Sequence, residues 1–148
     1  MRLSTKVRYA VRAMLELALA CGATAGGDVP SVSSRDVARR QHVSEKYVGQ
    51  LLAQLRTAGL VRSTRGQRGG FRLARPAAEI SLLDIVLAFE GTLAPVACVD
   101  DPDGCGFSAT CAAREVWCEL KDSIEKPLKR RTLADLARQE RRLRPTSP

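Results

Sequence analysis

Residues 33–76 read SSRDVARRQHVSEKYVGQLLAQLRTAGLVRSTRGQRGGFRLARP, and this stretch decides the fold. Ser33-Ser34-Arg35-Asp36 has the Ser-x-x-acid pattern of a capping box and opens a short helix through about Arg40. Gln41-His42-Val43 is a turn. Ser44 then caps a helix running to about Thr57, with Gly59 just past its end. Val48, Leu51, Leu52 and Leu55 fall on one face of that helix; Lys46, Gly49, Gln50 and Ala53 lie opposite. Leu60-Val61-Arg62-Ser63-Thr64 reads as a strand. Three glycines among residues 65–70 free the backbone to turn, residues 71–74 return as a partner strand, and Pro76 stops it.

Outward from this stretch the chain stays helical. Residues 4–21 place Val7, Val11, Met14, Leu15 and Ala18 at the spacing of one buried helical face, capped by Ser4 or Thr5 and ended by Gly22. Ser81-x-x-Asp84 caps a further helix that ends near Gly91. Residues 92–110 form a long loop with Pro95, Pro102, Gly104 and Gly106, of a length that usually signals function or disorder. A longer helix starts at about Cys111, and Pro127 is expected to kink or end it. Thr132-x-x-Asp135 caps the last helix, and residues 141–148 read as a frayed tail. The expected fold is mainly α with a small β-hairpin wing. It joins a winged helix-turn-helix domain (1–76), a linking helix and cysteine-bearing loop (77–112) and long dimerisation helices (113–140).

Charge points to a polyanion. The chain has 148 residues and a formal charge of +8, but residues 1–75 carry 14 Lys/Arg against 4 Asp/Glu, while residues 76–148 are slightly acidic. Arg62, Arg65, Arg68, Arg72 and Arg75 surround the glycine turn with no acid among them. A thin glycine loop can enter the minor groove of DNA, where arginine is drawn to the negative potential. The helix from Ser44 is the candidate major-groove reader. Ser44, Lys46, Tyr47 and Gln50 have the chemistry for phosphates and base edges, an ordinary solvated face being the alternative for Lys46 and Gln50. No apolar run reaches the ~18 residues of a membrane span. Arg2, Lys6, Arg8, Arg12 and Glu16 interrupt any leader-like core, so a cytoplasmic location without a membrane partner is expected. No nucleophile–His, phosphate-loop or paired-carboxylate pattern stands out, so the expectation is not an enzyme.

Four of the five cysteines lie between residues 98 and 118. Cys98-x6-Cys105-x5-Cys111 spans the polar loop and the next helix start, where helix amides favour a thiolate. Three convergent thiolates suit an iron–sulfur cluster. Zinc more often takes four ligands and CxxC spacing, which is absent. Three free thiols in a loop are the remaining reading. Cys21 reads as core, and His42, the only histidine, sits in the helix-turn-helix turn.

Residues 1–10 (MRLSTKVRYA), Ser44-Glu45-Lys46-Tyr47, residues 51–60 and Arg65-Gly66-Gln67-Arg68-Gly69-Gly70, with the cysteine trio, resemble the Rrf-two family of bacterial transcription regulators, the IscR- and NsrR-like proteins. The resemblance covers residues 1 to about 140. It implies a homodimer with two winged domains and crossed long helices, a roughly palindromic double-stranded operator read by Ser44, Lys46, Tyr47, Gln50, Arg65, Gly66, Arg68, Gly69 and Gly70, and a 2Fe-2S or 4Fe-4S cluster on Cys98, Cys105 and Cys111. The sequence departs from the family at Gly49, where IscR-like relatives carry a base-reading Glu. Arg114 stands where IscR-like proteins have a ligand His, and Arg8 where NsrR-like proteins have a ligand Asp. Cys118 and Glu115 remain as candidate fourth ligands.

Val116, Leu120, Ile124 and Leu128 form an apolar stripe beyond the winged domain and are the expected dimer interface. The functional expectation is a redox-, iron- or nitric-oxide-responsive regulator, a repressor or an activator. The alternative is a cluster-free regulator switched by thiol oxidation, a small ligand or a partner metabolic enzyme.

Overall fold

The computed structural model describes residues 2–21, 30–66 and 69–144. Six helices and one hairpin follow in order: α1 Thr5–Cys21, α2 Ser34–Gln41, α3 Glu45–Thr57, β1 Val61–Thr64, β2 Gly70–Leu73, α4 Leu82–Glu90, α5 Ala112–Arg130 and α6 Leu133–Leu143. This is the helix, turn, helix, hairpin order expected from residues 33–76. The end of α1 at Gly22 and the wing residue Arg68 lie outside the described residues.

Local chemistry sets the boundaries. The Ser33 hydroxyl accepts the Asp36 N–H (3.0 Å) and the Ser44 hydroxyl the Tyr47 N–H (3.2 Å), each supplying an acceptor to a helix start that has none. Between them His42 takes the left-handed conformation (φ 54°), and its backbone N–H returns to the end of α2. The hairpin pairs Val61 with Leu73, Arg62 with Arg72, Ser63 with Phe71 and Thr64 with Gly70. Val32 extends it, exchanging backbone bonds of 2.9 and 2.8 Å with Phe71. At Gly70 a Cβ would stand 2.6 Å from the Val32 carbonyl oxygen, so only glycine lets that segment approach.

One core joins α1 to the wing. Ala10, Met14 and Leu17 of α1 pack with Val37, Val48, Leu52, Leu55, Val61, Ile80 and Ile85. The apolar face read for α3 is buried throughout. The helices α4 and α6 both start on capping boxes, Ser81 with Asp84 and Thr132 with Asp135. The two starts are stitched together: the Leu82 N–H donates to Arg131 O and the Leu133 N–H to Ile80 O, both at 2.8 Å.

The C-terminal part differs from the sequence reading in three ways. Leu133 and Ala137 are buried in the main core, so α6 folds back onto α1. Residues 141–143, read as the start of the tail, form the last turn of α6. Of the kink or stop expected at Pro127, the stop does not occur: α5 continues to Arg130, since proline removes only the N–H that would reach the Ser123 carbonyl one turn earlier and leaves the following N–H groups able to bond. The loop at 92–110 contains two single 3-10 turns, Ala97–Val99 and Pro102–Gly104.

Candidate nucleic-acid interface and cysteine segment

The start of α3 carries the expected readers. Lys46 and Gln50 are exposed, and Tyr47 is half-buried. Ser44 is exposed as well, but its hydroxyl oxygen already serves the cap. Glu45 accepts from the Ser34 hydroxyl (3.0 Å) and from Arg35 (3.4 Å), which fastens the front of α3 to α2. A Cβ at Gly49 would meet nothing within 4 Å. Packing therefore leaves room for a side chain there, and the bare backbone is a property of the exposed face.

Tyr47 also leads to residues the sequence reading did not include. Its ring meets Tyr9 edge-on, with centroids 5.7 Å apart and planes at 87°. Arg8 and Arg12 stack over Tyr9 at 5.0 and 5.7 Å. The spacing Arg8-Tyr9-x-x-Arg12, which puts two cations around one ring on a helix, was the available signal. These side chains extend the basic surface from α3 onto α1.

The wing is narrow because its backbone closes tightly. Thr64 Oγ1 accepts the Gly70 N–H (3.1 Å), and the Gly69 N–H reaches Gly66 O (2.9 Å). Gly66 has φ 112°, and a Cβ on Gly69 would stand 2.7 Å from Thr64 O. Arg65 is exposed at the described edge of the tip. Below it, Arg62 and Arg72 are cross-strand partners, and among the described residues neither forms an ion pair. Two like charges directly opposite on paired strands repel. Arg75 reaches Asp84 (3.2 Å).

Polar contacts tie the cysteine segment to α5. Arg114 Nε donates to Cys98 O (3.0 Å), so the residue at the relatives' histidine-ligand position serves here as a strut. Asp100 accepts from the Thr92 hydroxyl and from Lys121 Nζ, the latter at 2.6 Å. The Lys121 hydrogen bond, then that of Thr92, holds the Asp100 carboxyl below the usual carboxylate range. With its folded pKa depressed, the tie is fully present above the ordinary carboxylate range and is lost as pH falls through the depressed value.

Cys98 lies in the first 3-10 turn and Cys105 follows the second, both half-buried; Cys111 is exposed at the N-cap of α5. Cys118 is half-buried two helical turns further along the face of Cys111, and Glu115, one turn along, is exposed. Among the described residues, no three Cys, His, Asp or Glu side chains are grouped to hold one metal ion. Cys21 stands apart at the end of α1, where burial pushes its thiol pKa up, and His42 is exposed in the turn.

The stripe on α5 divides. Ile124 and Leu128 are half-buried against Val7, Val86 and Leu93. Val116 (55% exposed) and Leu120 (41%) face outward, with Trp117 beside them. Next to Leu128 an open apolar groove of about 520 Å³ runs between α1 and α4, past Leu3, Val7, Val11 and Val86. No described helix is long and apolar enough to cross a membrane.

Known proteins share this arrangement along nearly the whole chain. The sequence model of a family described as Rrf2, iron-dependent transcriptional regulator, matches residues 3–139. Protein rrf2 of Nitratidesulfovibrio vulgaris is 39% identical over 138 residues, covering 93% of this chain and 88% of that protein. The solved CymR of Bacillus subtilis, titled the global cysteine regulator of that organism, superposes with a TM-score of 0.75 at 34% identity, covering 94% of this chain and 98% of its own. The IscR structure from T. potens gives 0.75 at 35% identity, covering 100% and 94%. A match across the chain to a family of transcriptional regulators, a solved relative titled a global regulator, and an α3 with an exposed start beside an arginine-bearing wing agree. The chain belongs to the Rrf2 family and is a DNA-binding transcriptional regulator.

Proposed function

We propose that the protein binds a roughly palindromic duplex as a homodimer, and that the cysteine segment sets its affinity. The observation that carries the DNA geometry is the opposed Arg62–Arg72 pair beneath the glycine tip, flanking an α3 whose exposed start bears Lys46 and Gln50. In this reading α3 enters the major groove, Gln50 and Lys46 meet base edges, and Arg65, Gly66, Arg68, Gly69 and Gly70 approach the minor groove. Tyr47 is braced by Tyr9 and fixes the angle of α3 against α1. Val116 and Leu120 meet a second copy, with Ile124 and Leu128 at the edge of the same interface, because a stripe this apolar is otherwise in water.

The donor chemistry of the cysteine segment fits an iron–sulfur cluster. Cys98, Cys105 and Cys111 are free and within one segment, the first two partly buried and the third exposed. They would hold the cluster, with Glu115 or Cys118 as fourth donor, since Arg8 and Arg114 cannot ligate iron. When bound, such a cluster supplies sensitivity to iron supply, oxidants and nitric oxide. Arg114 and the Asp100–Lys121 pair then act as the joints between this segment and α5.

A second reading follows from the thiols themselves, which are free and of which no three are grouped with other donors around one metal position among the described residues. Two of them oxidise to a disulfide, their two electrons and two protons reducing a peroxide to water. A structural relative, CymR of Staphylococcus aureus, has been solved in an oxidised form. One experiment separates the two. Protein purified without oxygen is analysed for iron, sulfide and visible absorption, alongside Cys98→Ala, Cys105→Ala, Cys111→Ala, Cys118→Ala and Cys21→Ala. The cluster reading expects absorption lost in each of the first three and kept in Cys21→Ala. Protein that holds no iron and cannot be reconstituted with iron and sulfide leaves the thiol reading.

A further inference from the structure

The winged core contains one buried carboxylate that neither the wing nor the cysteine segment uses. Glu16 lies on α1 and is 2% exposed. Its Oε2 accepts from Arg40 Nη1 (2.9 Å), and its Oε1 accepts from Gln41 Nε2 (3.1 Å) and from Arg144 Nη2 (3.0 Å). A buried charge is stable only when paired and hydrogen-bonded, and here the three donors come from two elements far apart in the chain. Arg40 and Gln41 form the last turn of α2, three residues before the Ser44 cap of α3. Arg144 is the C-cap of α6, where Glu140 also holds its Nε (3.0 Å).

The orientation of Gln41 shows how strongly the carboxylate organises its surroundings. The amide directs its N–H to Glu16 and leaves its own Oε1 buried without a partner among the described residues. Turned over, it would set an oxygen against the carboxylate. Immediately beyond Gln41 the chain passes through the left-handed residue His42, so the angle between α2 and α3 depends on where the end of α2 is held.

On the other side, Arg144 closes a continuous physical path. The end of α5 runs through Arg131, whose carbonyl holds the start of α4, into α6, whose far end holds Glu16. Arg144 also lies beyond residues 3–139, the span of the family match.

We infer that Glu16 is a positioning residue for DNA reading, and that Arg144 makes the C-terminal end of α6 part of the helix-turn-helix support. The inference rests on the DNA-binding reading. The paired donors keep α2 seated on α1 and α6, and thereby place α3 at the angle that reads sequence. Contacts with the phosphate backbone depend on surface arginines and tolerate a small rotation of α3; base contacts do not.

The test uses the full-length protein and two 30-bp probes: a duplex selected by the wild-type protein from a random-sequence pool, and an unrelated duplex of equal length. Fluorescence anisotropy is measured for wild type, Glu16→Gln, Arg144→Gln, Arg144→Lys and the Glu16→Gln/Arg144→Gln double variant. Arg144→Gln and Glu16→Gln are each expected to weaken the selected duplex about tenfold while changing the unrelated one less than about twofold. Arg144→Lys restores most of the loss, and the double variant is no weaker than Glu16→Gln alone. A wild-type ratio of selected to unrelated affinity in Arg144→Gln overturns the inference, as does an equal loss on both duplexes. Should Glu16→Gln fail to fold, Arg144→Gln, at the exposed end of α6, decides alone. A wild-type protein that selects no duplex overturns the DNA reading itself, and this inference with it.

Discussion

The winged half and the helix α5 are built on opposite terms. In the first, each side chain of the apolar face of α3 is buried, α2 and α3 are capped by Ser33 and Ser44, and a glycine admits the Val32 backbone to the hairpin. In the second, α5 has nineteen residues and buries none of them, while its preceding segment is tied down by Arg114, Lys121 and Asp100. Burial resists displacement; a few half-exposed polar contacts and an apolar stripe covered only at Ile124 and Leu128 resist it less. A regulator needs both: a reading head that keeps its shape, and a part whose position a signal and a second subunit can change.

The largest expected effect tests the rigid side. Leu52 is fully buried, and Leu52→Ala should lower unfolding free energy by about 2–5 kcal/mol, measured by urea titration. A loss under about 1 kcal/mol would mean that the α3 seat is not the packed region it appears as in the contacts. The α5 side is tested by Leu120→Asp. It should convert dimers to monomers in sedimentation at micromolar concentration while leaving helix content unchanged, since Leu120 is exposed and belongs to neither buried core cluster of its own chain. A variant that remains dimeric places the interface elsewhere.

Two smaller effects sharpen the contrast. Arg65→Ala should weaken DNA binding by about 1–3 kcal/mol in anisotropy titrations without a change in melting temperature. Loss of a few tenths or less removes Arg65 from the groove. Ser81→Ala should remove a cap at a cost of about 1 kcal/mol of stability, because its hydroxyl accepts the Asp84 N–H at the start of α4. Its DNA affinity, with salt held constant, should be unaffected once the protein is folded.

What could be read from the sequence follows the same division. The three capping patterns at 33–36, 81–84 and 132–135 involve residues three apart, and the α3 face repeats at helical spacing, so both were legible. The return of α6 onto α1 was not, because periodicity shows that a helix has an apolar face but not what covers it. Glu16 sits where an amphipathic reading of α1 assigns a solvent-facing charge, and its partner Arg144 is 128 residues away. The Tyr9–Tyr47 contact likewise joins two helices that share no local pattern. The cysteine spacing marks a chemistry without showing how far apart the thiols stand, and Arg114 could be recognised as a strut only once the carbonyl of Cys98 was seen against it.

The central claim is that residues 92–111 govern how tightly the winged half holds DNA. The most direct measurement is the affinity for the selected duplex in one preparation purified without oxygen, before and after its iron is removed by chelation, and again after peroxide treatment of the iron-free protein. At least one of these changes should shift affinity about fivefold or more, and Cys98→Ala should abolish that shift while leaving the unrelated duplex unaffected. Identical affinity within about twofold across all three states would contradict the claim, leaving a DNA-binding head whose cysteine segment does not control it.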